Sequence, residues 1–112
     1  MTKYLISFPS EAMVVTAEEL PTVAADAHAV IDEAKAAGVY VFGGGIDESV
    51  EPVRVSADGR VSDQIYPDSR LKGGFTILEL ADRAAAVEWA RKMAAACRCD
   101  QELRVFQYDP AS

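Results

Sequence analysis

The chain has 112 residues, half of them apolar and 26% charged, a composition that suits one folded domain with a single core and excludes disordered and low-complexity classes. Lys plus Arg number 11 and Asp plus Glu 18, a formal charge of −7, the wrong sign for phosphates or anionic lipid, so neither nucleic acid nor a membrane surface is expected as a partner. No stretch approaches the roughly 18 apolar residues of a membrane span, the apolar part of Met1–Pro9 is too short for a signal-peptide core, and a cytoplasmic location is the expectation.

Lys3 to Phe8 predicts a first strand, with Tyr4, Ile6 and Phe8 on one face and Leu5 on the other. Thr16-Ala17-Glu18-Glu19 fits a capping box and opens a turn, and Pro21 suits the first residues of a regular helix continuing to Ala37. On that helix Val23, Ala27, Val30, Ile31 and Ala34 make one apolar stripe. Gly38 supplies the stop, and Val39-Tyr40-Val41-Phe42 is a strand running into Gly43-Gly44-Gly45. Val53–Ser56 and Arg60–Ser62 flank Asp58-Gly59, a pair that suits a two-residue hairpin turn with positive φ at both positions. Gln64 to Lys72 reads as a loop before the strand Phe75–Leu80, which is expected to be central. Asp82 caps a second helix with a stripe of Ala86, Ala90, Met93 and Cys97, bordered by Trp89, and Leu103–Tyr108 alternates as a final strand.

The order is strand, helix, strand, hairpin, strand, helix, strand, which is the split β-α-β repeat of a ferredoxin-like α+β fold with an inserted hairpin. Two helices cover only one face of one sheet, so a homodimer is the expected partner arrangement for the other.

Several pieces, taken in their order, resemble the YCII-related family and, within it, the DGPF-domain proteins. They are Lys3-Tyr4-Leu5, Ala36-Ala37-Gly38-Val39 leading to Phe42-Gly43-Gly44, Val53-Arg54-Val55 with Asp58-Gly59-Arg60-Val61, Leu71-Lys72-Gly73-Gly74-Phe75, and Ala85-Ala86-Val87-Glu88-Trp89-Ala90. Where the naming motif of the DGPF branch would stand, this chain has Asp63-Gln64-Ile65-Tyr66, without the Gly-Pro pair. The resemblance implies small bacterial proteins of dimeric α+β barrel form, a few of them lyases or isomerases of small molecules. It also implies a histidine of the first helix acting with an aspartate after the second strand, for which the nearest candidates are His28 and Asp47. The family histidine falls at Ala27, one residue from His28.

Read from the residues themselves, His28 is the only side chain whose ordinary pKa suits proton transfer near neutrality. No nucleophilic triad can be assembled around it. Gly43-Gly44-Gly45 has neither the lysine nor the following helix of a phosphate loop. The run Asp47, Glu48, Glu51 lacks calcium-loop spacing, and Cys97 and Cys99 are one residue apart, which suits two reduced thiols at a helix end, so no metal or cofactor is expected. Between Asp63 and Lys72, Tyr66, Asp68 and Arg70 combine a phenol with mixed charge, the chemistry that holds small polar or carboxylated ligands. The expectation is a pocket between sheet and helices with this loop at its mouth. It would serve acid–base chemistry at His28 or, alternatively, non-catalytic ligand binding or a regulatory interaction.

Overall fold

Four strands form one antiparallel sheet in a computed structural model that describes residues 1–112. They are β1 (Thr2–Phe8), β2 (Tyr40–Gly45), β5 (Gly74–Leu80) and β6 (Glu102–Val105). Strands β3 (Arg54–Val55) and β4 (Val61–Ser62) pair only with each other in a separate ribbon. Helix α1 spans Leu20–Ala36 and α2 spans Arg83–Cys97. The sheet order is β2-β5-β1-β6. Because β5 is antiparallel to both β1 and β2, those two run the same way with β5 between them, as a split β-α-β repeat requires. The chain is thus a mixed α+β fold with β5 central, and no helix is long and apolar enough to cross a membrane.

Alternation along β1 and β5 decides which face the helices cover. Tyr4 stands opposite Leu78 and Ile6 opposite Thr76, and all four are buried with Leu80 on the helix side. From α1 come Val23 and Ala34, and from α2 Ala86, Met93, Ala96 and Cys97. Ala27, Val30, Ile31, Trp89 and Ala90 pack partly buried against them, so both stripes face inward as their spacing predicts. Alanines on both helices allow close approach to the sheet and to each other. The Arg98 guanidinium donates to the Asp26 carboxylate at 2.8 Å, and Lys92 pairs with Glu33, tying the two helices together at their outer edge.

The helix ends follow their local chemistry. The capping box of Thr16 and Glu19 forms, with Glu19 N–H donating to the Thr16 hydroxyl and Thr16 N–H to the Glu19 carboxylate. It closes a separate turn, and the regular helix begins at Leu20 with Pro21 beside it, where a missing N–H is harmless. Val39 N–H reaches back to Ala34 C=O across Gly38 and closes α1 in a Schellman arrangement. Asp82 accepts from Ala85 N–H at 2.8 Å and caps α2, whose far end turns through Arg98 at φ 61.

Two local features differ from expectation. The hairpin turn is not a two-residue loop: Ser56 N–H donates to Arg60 C=O and Gly59 N–H to Ser56 C=O, enclosing Ala57, Asp58 and Gly59, and only Gly59 has positive φ. Asp58 accepts the Arg60 N–H, which stabilises the three-residue form. In β2 the register shifts between Tyr40 and Phe42, so Tyr40 lies opposite Leu78 while Phe42 lies opposite Ile77 and turns to the uncovered face.

That face carries Leu5, Phe75 and Ile77, half buried, with Phe42 61% exposed. Only 12 of 112 residues are buried, and the accessible surface is 7732 Å².

Candidate functional site

The helix-side layer leaves a cleft of about 280 Å³ between α1 and the edge of the sheet formed by β2 and β5. It exists because the facing positions are small: Ala24 and Ala27 on α1, Gly44 and Gly45 on β2, and Gly74 on β5. A side chain at Gly74 would place its Cβ 2.7 Å from the Phe8 ring, which occupies that space and walls the cleft. Val23, Thr76, Met93 and Cys97 form a buried floor, and Met13 and Leu20 stand at the outer wall. A second hollow of about 400 Å³ shares Phe8, Met13, Leu20, Gly45 and Gly74 and extends the cleft beneath the segment that precedes α1.

His28 sits at the rim of this cleft, exposed, one turn after Ala24 on α1. The other side chains there able to form hydrogen bonds well are Thr76 in the floor and Gln101 beyond α2. None of the sixteen lining residues is Asp, Glu, Lys or Arg, although a quarter of the chain is charged. The Cys97 thiol is pushed up to about 11, by burial first and by neighbouring Cys99 second, so it stays protonated at neutral pH.

The remaining sequence-predicted residues lie outside this lining. Asp47 follows β2 and closes an Asx turn, accepting from the Ser49 hydroxyl at 2.6 Å and the Ser49 N–H at 3.0 Å. Those two bonds, the hydroxyl foremost, hold its carboxyl below the usual range. Glu48 accepts from the Ser10 hydroxyl and Glu51 from Arg70, so the three acids point to separate partners. No cluster of His, Cys, Asp or Glu is arranged to hold a metal ion.

The loop between β4 and β5 runs elsewhere than the mouth of the cleft. The Tyr66 ring lies 5.3 Å from the Arg54 guanidinium on the β3–β4 ribbon. Asp68 adopts φ 59 in the turn in which Ser69 donates to the Tyr66 carbonyl. Arg70 pairs with Glu51 at 3.2 Å and lines a groove of about 390 Å³ with Leu5, Ser7, Phe75 and Arg104, on the uncovered face of the sheet. Loop direction depends on where β4 and β5 deliver its ends, which composition does not encode.

A larger hollow of about 510 Å³ also lies on the uncovered face, where the segment from Phe106 onward crosses Lys3, Val41 and Ile77. It contains the Lys3–Glu79 ion pair at 3.7 Å and is open to solvent. The cleft beside α1 is distinguished from it by its buried floor. No family model matches the chain, and no curated protein matches it either.

Proposed function

We propose that this chain is a small-molecule-binding domain that takes an uncharged, largely apolar ligand in the cleft between α1 and the sheet. The observation that carries the reading is the uncharged lining. A charged ligand would lose its hydration there and find no ion to replace it, whereas an apolar body gains contact with Phe8, Met13 and Met93 and a single polar end finds His28, Thr76 or Gln101. Tyr66, Asp68 and Arg70 lie outside that lining, so a polar or carboxylated ligand draws no support from it. His28 has no carboxylate beside it in the lining, which favours binding over acid–base chemistry. The test is titration with the neutral fluorophore N-phenyl-1-naphthylamine, following its emission and the ring resonances of the single histidine. Saturable binding that shifts the His28 signals and is lost in Ala24→Trp is expected. The absence of saturation, or binding indifferent to Ala24→Trp, would overturn the reading.

A homodimer formed across the uncovered sheet face is the second element of the proposal, favoured by the surface area. A monomer of 12.1 kDa is expected to expose roughly 6,000 Å². The chain exposes 7732 Å², an excess of roughly 1,700 Å² where a standard interface takes about 800 Å² from each partner. The radius of gyration is likewise 15.8 Å, against about 13 Å for a close-packed domain of this length. The split β-α-β strand order supports the ferredoxin-like reading. Sedimentation velocity should give the mass of two chains, and Phe42→Lys should weaken that association.

A further inference from the structure

We propose that residues 46–72 form an exchange arm, whose valine face packs against a second copy of this chain so that each copy's arm covers the other. The inference rests on the self-association proposed above and adds which segment makes it.

The arm is a two-faced ribbon. Val55 stands directly opposite Val61, which puts both on one side of the ribbon, and Val53 lies just before the strand, two residues from Val55. Arg54 stands opposite Ser62 on the other side, and Tyr66 stacks on Arg54, so the polar face is already engaged within the arm. The valine face is not: Val53, Val55 and Val61 are between 54% and 64% exposed. A ribbon of two residue pairs is at best marginally stable in water unless its apolar side packs on something.

The root of the arm says what that is. Ile46 N–H donates to the Gly73 carbonyl at 2.9 Å, and Arg70 pairs with Glu51, so the two ends of the arm are fastened to each other where β2 finishes and β5 begins. From there Arg70, Leu71 and Lys72 line the groove that contains Leu5, Phe75 and Arg104 of the uncovered face. The root is therefore continuous with the surface proposed to receive the second copy, and a molecule seated on that surface meets the arm. Twofold symmetry makes the contact reciprocal and closes the assembly at two copies.

The experiment compares dimer dissociation constants by sedimentation velocity for the wild-type chain, the double variant Val55→Lys with Val61→Lys, and Phe42→Lys on the sheet face. Both valines are exposed, so the double variant keeps the fold, as far-ultraviolet circular dichroism will check. A second variant joins Ile46 to Gly73 through Asn-Gly in place of residues 47–72, a two-residue link suited to adjacent antiparallel strands. The arm variants should each weaken association by at least about tenfold while remaining folded. Unchanged association in the folded double variant or in the folded excised chain overturns the arm and leaves the sheet-face dimer standing. A wild-type chain that stays monomeric overturns both.

Discussion

Replacing Gly73 by alanine asks what a glycine is for when two reasons coincide at one position. Its φ is +83, which disfavours any side chain, and a Cβ there would lie 2.0 Å from the Phe8 carbonyl oxygen, 2.7 Å from Ser10 N and 2.9 Å from Pro9 C. All three are backbone atoms, so no rotamer change relieves the overlap, and the Phe8–Ser10 segment must retreat by more than an ångström. Gly59 has nearly the same φ, +89, with nothing within 4 Å of its Cβ position. The left-handed conformation alone costs a non-glycine residue about 1–2 kcal/mol, and overpacking adds about 1–3 kcal/mol. Gly59→Ala should therefore destabilise by the first amount only, and Gly73→Ala by about 2–5 kcal/mol in all. Urea unfolding followed by circular dichroism measures the difference. With a slope of about 1.5 kcal/mol per molar urea, the two midpoints should differ by about 0.7–2 M. Both variants are compared at one protein concentration, because association adds to apparent stability. Equal midpoints would refute the reasoning, since they would show that the contact with Phe8 and Ser10 relaxes without cost.

Cys97 is 3% exposed, and its thiol is raised to about 11 from 9.0. Its contribution to stability is therefore complete below about pH 9 and is lost as pH rises toward 11. Urea midpoints should fall between pH 9 and pH 11, less steeply in Cys97→Ala, and an identical slope in that variant would refute the assignment. At pH 8 iodoacetamide should label Cys99, which is partly exposed, before Cys97, with mass spectrometry of the digest giving the order. Asp82→Ala removes the bond to Ala85 N–H at the start of α2 and should cost about 1 kcal/mol, lowering the melting temperature by about 4 °C or more, whereas Asp82→Asn, which keeps a capping oxygen, should lose less.

Periodicity carried most of the architecture. The alternation of Tyr4, Ile6 and Phe8 and the stripes of α1 and α2 each name a face, and a face buried in the sequence pattern is buried in the fold because hydrophobic burial acts on whole faces. Capping residues were equally legible, since Thr16, Gly38 and Asp82 act on backbone groups a few residues away. What the sequence hid depends on longer reach. The bulge in β2 turns Phe42 to the uncovered face through a register set by β5, and no local signal marks it. The Asp58-Gly59 pair suits two turn geometries, between which the Ser56–Arg60 bond decides. At the candidate site, His28 could be placed near the edge of a helix face, but its position over a cleft follows from three glycines on two strands brought beside α1. The loop holding Tyr66, Asp68 and Arg70 has the composition of a binding loop, and its course is fixed by the ribbon and by Glu51.

The place of β1 in the sheet bears on how the chain survives its own synthesis. Ile6 pairs on one side with Thr76 and on the other with Leu103, so the first strand to emerge has no neighbour until much of the chain has followed. At ordinary translation rates that wait lasts about 4–14 s for the first partner alone. Throughout it a strand carrying Tyr4, Leu5, Ile6 and Phe8 offers both edges to any passing nascent chain. Helix α1 can form within microseconds of emerging, yet it supplies no edge bonds. Yield on the ribosome should therefore respond to the timing of β5 more than to the stability of the finished fold, and a slow stretch placed before residue 74 would lengthen the hazardous interval.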